Sequence, residues 1–365
     1  MQFSTPKEKI LNAALIAERI VGKKESLPVL SCVVFDVGKE LSVRSTNLEA
    51  GVEIKVAGDV GEKGTIAVPA SILSQTLRAV SGDKINLKTD GSNLLVEARG
   101  SKTLIKAVPH DEFPALSTKK EGKGLNLSRT QLLEALQSVS YAASTSMIRP
   151  ELGSIYLSAK DAKLMAVATD SFRLAEKTVL EASGGNSGDV LIPLKHAQEL
   201  VHILERLSTD HIELFIDDAQ LVAIADGLTF TSRIIDGTFP NYKEIIPKSF
   251  STEATLLKSD FTETLRKARV FAGADQHVGF HVYPKKKVFD VTAQSASIGE
   301  MSDSLEAAVT GDDIDVNFHI GYVADCLQSI QSDSITLKFS GAGRPLVVQG
   351  VSDATFTYLV MPLNR

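Results

Sequence analysis

The sequence predicts an α+β chain of three repeated domains, each with two helices packed on antiparallel sheets, and three observations carry the prediction. The stretch Ser81-Gly82-Asp83-Lys84-Ile85-Asn86-Leu87 returns as Ser208-Thr209-Asp210-His211-Ile212-Glu213-Leu214 and as Gln331-Ser332-Asp333-Ser334-Ile335-Thr336-Leu337. Each time a turn feeds an alternating strand, with a proline downstream at Pro114, Pro240 or Pro362. The spacing, 127 residues from Asp83 to Asp210 and 123 from there to Asp333, suits a whole domain and is too long for a solenoid unit. The same succession of helix, strands, helix and strands also recurs in each copy. Finally, 365 residues hold roughly two to three domains of ordinary size, each able to bury its own core. The expected domains are residues 1–120, 121–250 and 251–365, and three copies of one fold point to a symmetric assembly.

Each copy opens with a helix. Thr5-Pro6-Lys7-Glu8, Ser128-Arg129-Thr130-Gln131 and Asp260-Phe261-Thr262-Glu263 place an N-cap acceptor three residues ahead of Glu or Gln, the capping-box pattern that satisfies orphan amides. Pro6 is preset for a first helical turn. Behind the caps, apolar residues fall at helical spacing: Ile10, Leu11, Ala14 and Leu15, then Leu132, Leu133 and Leu136, then Phe261, Leu265 and Ala268. Helices are therefore predicted over 5–24, 128–144 and 258–273. Short alternating strands come next, over 29–56, 154–179 and 278–309. A second helix follows at 69–80, 193–207 and 321–331, and the repeated motif closes each copy with more strands. Segments 118–125 and 248–255 read as linkers, and 184–188 as a loop inside the second copy.

Composition points to a globular protein: 43% apolar and 23% charged residues with a mean hydropathy of +0.05 exclude disorder. No run approaches the roughly 20 apolar residues of a membrane helix, and Met1-Gln2-Phe3-Ser4-Thr5 lacks the basic and apolar regions of a secretory signal. Cys32 and Cys326 form neither a disulfide framework nor a metal spacing, which suggests a reducing cytoplasm.

The net charge of −6 argues by itself against nucleic acid, but its distribution points the other way. The predicted helices hold 13 Lys and Arg against 8 Asp and Glu, while the rest of the chain holds 26 against 37. One reading is that basic side chains simply favour solvated helix faces; the other is that the helices face phosphates. Helices packed side by side at roughly 9–10 Å enclose a circle about 18 Å across when six close a ring, and about 36 Å when twelve do. The larger ring leaves roughly 25 Å clear, enough for a duplex whose grooves are each roughly 8 Å deep and whose width is near 20 Å. Two chains fit around DNA and one does not.

Four motifs carry a resemblance over essentially all 365 residues: Leu27-Pro28-Val29-Leu30, Ala168-Thr169-Asp170-Ser171-Phe172-Arg173-Leu174-Ala175, Asp236-Gly237-Thr238-Phe239-Pro240-Asn241-Tyr242 and Tyr358-Leu359-Val360-Met361-Pro362-Leu363. The chain resembles the bacterial DNA polymerase III beta subunit family, the replicative sliding clamps. The resemblance implies the DNA-clamp fold, closed into a ring as a head-to-tail homodimer. It implies a groove that receives short hydrophobic peptides of the polymerase III alpha subunit, the clamp loader, other polymerases and repair proteins. Carried over, that groove contains Leu152, Thr169, Ser171, Phe172, Arg173, Leu174, Pro240, Ile245, Val360, Met361, Pro362 and Leu363, with Met361 and its aliphatic neighbours able to repack around varied anchors. The family often has Gly-His where this chain has Ser171-Phe172, and a basic residue where it has Glu244. The resemblance also implies sequence-independent duplex contacts from Lys24, Arg78, Ser146, Arg149 and Lys195. It places the ring interface at the edge strand 103–108, through Thr103, Ile105 and Ala107, and at Val270-Phe271.

A catalytic constellation is not legible. The sequence has no phosphate loop with its Lys, no His-Glu-x-x-His and no Gly-x-Ser-x-Gly, and Gly341-Ala342-Gly343 lacks a third spaced glycine. Asp312, Asp313 and Asp315 read as a solvated turn before a strand rather than a metal site. The expectation is a processivity factor with no catalytic site, no exonuclease activity, no cofactor and no metal, whose polymerase chemistry belongs to a partner. Two alternatives stay open: a protein-binding scaffold with the same repeats that never encircles DNA, and an enzyme whose site is assembled from scattered polar residues.

Overall fold

The repeated apolar spacings produce six helices in a computed structural model that describes residues 1–22, 27–116, 124–146, 148–184 and 188–363. They are α1 (Lys7–Ile20), α2 (Ala70–Ala79), α3 (Arg129–Ser140), α4 (Leu194–Arg206), α5 (Lys258–Phe271) and α6 (Ile320–Asp325), the last prolonged by a 3₁₀ turn, Cys326–Ser329. Every one falls within a predicted range except for α6's first residue. Their dry faces are the expected stripes with local shifts. In α1 the stripe is Ile10, Ala13, Ala14, Ile16, Ala17 and Ile20, while Leu11 and Leu15 are half-buried. In α3, Ala135 and Val139 join Leu132 and Leu136 inside, and Leu133 is half-buried.

Only one of the three predicted capping boxes forms. Ser128 Oγ accepts from Gln131 N at 3.0 Å and Gln131 Oε1 accepts from Ser128 N at 2.8 Å. In the first copy Pro6 takes the cap position and Thr5 Oγ1 donates instead to Ala57 O at 2.8 Å. In the third copy the helix begins at Lys258, so Asp260 lies inside its first turn. A different device recurs in all three. The amide of each helix's first residue donates to the carbonyl of the motif aspartate, Lys7 to Asp83, Arg129 to Asp210 and Lys258 to Asp333, each at 2.8 Å. The same basic residue then reaches a carbonyl at the end of the second helix: Lys7 Nζ to Val80 O at 2.5 Å, an Arg129 guanidinium nitrogen to Leu204 O at 3.2 Å, and Lys258 Nζ to Ile330 O at 2.6 Å. A cation on C-terminal carbonyls satisfies orphan acceptors and the helix dipole together.

Among the described residues, the strand pairings whose register is defined are all antiparallel. The predicted blocks resolve into Cys32–Val37, Leu41–Thr46 and Ala50–Val56; Ser154–Lys160, Lys163–Thr169 and Arg173–Val179; and His277–Tyr283, Val288–Ser295, Gly299–Ser304 and Ala307–Gly311. Val29 lies in the 3₁₀ turn Pro28–Ser31 rather than in a strand. Sequence reasoning missed the strand that precedes each first helix: Gln2–Pro6, Leu125–Ser128 and Thr252–Leu257. The last of these overturns the linker reading of 248–255, because Thr252, Ala254 and Leu256 are buried there. The linker 118–125 and the loop 184–188 fall largely outside the described residues.

The chain packs as two compact units, Met1–Leu133 with Ala159–Ala162 and Ala182–Ile234, and Glu134–Ser158 with Lys163–Glu181 and Ile235–Arg365. In each, a strand of one repeat pairs directly with a strand of the next. Leu228–Arg233 pairs with Ala50–Val56 in the first unit, where Gly51 admits Leu116: a Cβ there would meet the leucine at 2.7 Å. Arg173–Val179 pairs with Asp353–Val360 in the second. The first unit also holds a sheet of five strands that ends at Ser101–Ile105. The second holds one of four, ending at Gly299–Ser304, over a core of Phe261, Phe280, Phe289 and Phe318 whose ring centroids lie 5.4–6.4 Å apart. Among the described residues no helix is long and apolar enough to cross a membrane.

Candidate binding groove

The predicted groove residues other than Leu152 gather in the second unit around one tight turn between Lys163–Thr169 and Arg173–Val179. Asp170 Oδ1 accepts from the amides of Phe172 and Arg173 at 2.9 and 3.0 Å, and Thr169 Oγ1 donates to Arg173 O at 2.6 Å. Ser171 sits at the tip with φ +79°, left-handed backbone where glycine is at home. The turn drives Phe172 outward, 60% exposed. Phe172 O accepts from Met361 N at 2.8 Å, and Arg173 pairs with Val360 in the ladder, so the segment Val360–Leu363 runs beside the turn.

Beneath the turn lies a cluster of Val167, Leu174, Tyr242, Val347 and Leu359, with Tyr156, Met165, Phe239, Ile246 and Met361 half-buried against it. The Tyr242 hydroxyl donates to Glu176; burial, and then that carboxylate, push its pKa well up. Pro240 O accepts from Tyr242 N at 2.7 Å and Tyr242 O from Ile245 N at 2.9 Å, leaving Ile245 49% exposed. Leu174 and Val360 are buried and form floor; Phe172, Ile245 and the half-buried Pro240, Met361, Pro362 and Leu363 are what a ligand can touch. Leu152 is buried in the loop after α3, its amide on Arg149 O at 3.0 Å.

Arg173 is a structural pin. Its Nε donates to Asp170 Oδ2 at 2.9 Å, another guanidinium nitrogen to Asp325 Oδ2 at 2.5 Å, and the group lies 4.3 Å over the Tyr322 ring. Sequence reasoning found Arg173 but not its partners. Asp170 lies in the same motif and was there to be noticed, whereas Asp325 and Tyr322 sit about 150 residues away with no local signal.

The predicted DNA-contacting residues are distributed. Arg78 and Lys195 line one cleft of about 580 Å³ in the first unit, together with Arg206, which the sequence reading left out of the site. Arg19 lines it too but is clamped by Glu199 at 2.6 Å. Ser146 and Arg149 occupy the loop after α3, Arg149 paired with Glu151 at 3.0 Å. Lys24 lies outside the described residues. The helical charge excess narrows, because the six observed helices hold 11 basic and 8 acidic residues and the first residues of α1, α3 and α5 are committed to carbonyls.

At the predicted ring interface, the outer strand ends at Ile105 rather than running to Val108, whose amide bonds Ala67 O at 2.9 Å. Ile105 is buried, Thr103 and Ala107 are half-buried, and the outward apolar residue is Leu104, 52% exposed. Val270 is 61% exposed and Phe271 half-buried near Gly299, the first residue of the other outer strand. As for the aspartate run, Asp315 belongs to the strand Ile314–His319 and bonds His281 Nδ1 at 2.5 Å and the Tyr283 hydroxyl at 2.7 Å. Among the described residues, no group of three or more His, Cys, Asp or Glu is arranged to hold a metal.

Three family models match in tandem: the DNA polymerase III beta subunit N-terminal domain over residues 1–117, its central domain over 126–241 and its C-terminal domain over 243–364. The chain belongs to the DNA polymerase III beta subunit family. Curated relatives agree along the whole length. The beta sliding clamp of Streptococcus pneumoniae strain R6 is 25% identical, with 100% of this chain and 99% of that protein covered. That of Bacillus subtilis strain 168 is 23% identical with 100% of both covered. Solved structures show the fold to be the three-domain clamp fold. The beta subunit from Thermotoga maritima superposes with a TM-score of 0.92 at 22% identity, covering 100% of this chain and 99% of that one. A Pseudomonas aeruginosa sliding clamp bound to griselimycin gives 0.94 at 23%, covering 100% of both.

Proposed function

We propose that the protein is a replicative sliding clamp: two copies close head to tail around duplex DNA, and the groove beside Phe172 tethers the partners that work on that DNA. The observation that carries the proposal is the tandem of three beta subunit domains over nearly the whole chain, 1–117, 126–241 and 243–364, in a family whose curated relatives are beta sliding clamps. The domains are taken as residues 1–120, 121–250 and 251–365. Contacts with DNA are made by Arg78, Ser146, Arg149 and Lys195, with Lys24 and Arg206, all directed to phosphates and therefore indifferent to sequence, as sliding requires.

Ring closure joins the outer strand Ser101–Ile105 of one copy to the outer strand Gly299–Ser304 of the other, flanked by Leu104, Val270 and Phe271. Both strands end their sheets, and an unpaired edge is a template for adding a strand from a second chain. The groove takes short hydrophobic peptides of the polymerase III alpha subunit, the clamp loader, other polymerases and repair proteins. Phe172 and Ile245 offer exposed apolar surface, and Met361 supplies a side chain that repacks. The clamp contributes no catalysis and acts in the cytoplasm; the polymerase does the chemistry.

The test is retention on nicked circular duplex DNA after loading by a cognate clamp loader, before and after the circle is cut. Release only on linearisation is the expected result. Equal retention on both forms means ordinary contact binding, and failure to load by a loader active on another clamp favours a scaffold that never encircles DNA.

A further inference from the structure

The groove's chemistry is not only apolar. Its pinned cation is spent: Arg173 serves Asp170 at 2.9 Å and Asp325 at 2.5 Å, which leaves that trio with one negative charge in excess. Glu176 adds another behind the cluster, where it receives the Tyr242 hydroxyl. Lys338, the cation next to Phe250, is held over that ring at 5.5 Å and donates to Gln349 at 3.0 Å. At the lip, the 3₁₀ turn Tyr242–Glu244 ends on an exposed carboxylate immediately before the exposed Ile245. Asn241 Nδ2 donates to Glu244 Oε1 at 2.6 Å, so the carboxylate is positioned rather than free to swing away. Asn241 flanks the turn at its cap position and meets Glu244 three residues on; within the turn Tyr242 points inward, and Lys243 diverges from Glu244 by about 120°.

We infer that the occupant of the groove is a short peptide in which adjacent apolar anchors are flanked by a basic side chain that pairs with Glu244, and that acidic flanks are disfavoured. The inference rests on the groove being the peptide site and goes beyond it by fixing the charge of the ligand. Glu244 is then the specificity-determining residue, contributing orientation and discrimination more than affinity.

The experiment uses the full-length protein and three fluorescent peptides that share a Leu-Leu-Phe core and differ only in a flanking Lys, Gln or Glu, read by anisotropy. Kd should rise in the order Lys, Gln, Glu, roughly two- to fivefold per step at low salt, as exposed ion pairs give, and the spread should shrink in about 0.5 M salt. Glu244→Lys should reverse the order, Lys243→Gln should leave it standing, and Phe172→Ala should weaken all three peptides alike. Equal affinities, or an order that survives Glu244→Lys in a protein that melts like the wild type, would overturn the inference while leaving the groove intact. No binding by any of the three peptides would overturn the groove reading itself, and the inference with it.

Discussion

Ser171 holds a conformation made for glycine, and its neighbours show what maintains it. Its φ of +79° is kept by a turn in which Asp170 and Thr169 satisfy the backbone on both sides. Ser171→Gly should therefore raise the free energy of unfolding by roughly 0.5–1 kcal/mol, since the strain relieved (roughly 1–2 kcal/mol) exceeds the extra chain entropy of glycine; chemical denaturation measures it. A second residue-level effect is pH dependence. Burial lowers the pKa of His196, with Lys195 adding to it, and burial together with the Arg173 charge lowers that of His319. The unfolded chain thus binds more protons than the folded one near pH 6.5. The stability these neutral imidazoles contribute is present above that value and is lost as pH falls through their depressed folded pKa values. Neutral His319 caps α6 by accepting from Tyr322 N at 3.3 Å, so His319→Asn, which keeps an acceptor there, should flatten the acid limb of a melting-temperature profile. An acid limb unchanged in that variant would argue against His319 as its source. Residues of this kind were half legible: the motif around Arg173 stood out in the sequence, but its reason, a carboxylate from a distant helix, did not.

At the level of elements, the helices were legible because their apolar spacing reflects packing, and packing is what forms them. The capping boxes were less so, since a pattern of four residues does not say where a preceding strand delivers the chain. Gln2–Pro6 and Thr252–Leu257 deliver it one and three residues away from the box, and a carbonyl from the repeated motif takes over the cap. The motif aspartates marked the repeat by side-chain identity while acting through their backbone, a role that sequence hides. Lys258→Met should cost about 1–2 kcal/mol, the order expected for a charge-assisted hydrogen bond at a helix C-terminus. Lys258→Arg should recover most of it, and urea unfolding with Lys267→Met as the control tests both.

For the molecule as a whole, three repeated domains could be read from period and element order, because repetition is a property of sequence, whereas the clamp fold entered only through the resemblance carried by four motifs. Which side chains a proposed second copy would meet was less legible: the interface expectation named Ile105, whose side chain is buried, and passed over the exposed Leu104 beside it, because alternation along a strand is fixed only once its register is known. Val270→Asp with Leu104→Asp should yield monomers by sedimentation at micromolar concentration that still fold and unfold cooperatively, since both side chains are more than half exposed in the single chain. Those monomers should fail to stay on circular DNA. Retention like that of the wild type would count against a closed ring.

The carbonyl locks also bear on how the chain matures during synthesis. Lys7 waits for Asp83, Arg129 for Asp210 and Lys258 for Asp333, so each opening helix is finished only after 75 to 81 further residues have been made. A ribosome adding roughly 5–20 residues per second imposes a delay of several seconds on each repeat. Through that interval the helix start has no permanent acceptor for its first amide, and the apolar stripe behind it lacks its final cover. The repeats should therefore emerge as three successive windows of vulnerability, each closing when a single aspartate clears the exit tunnel.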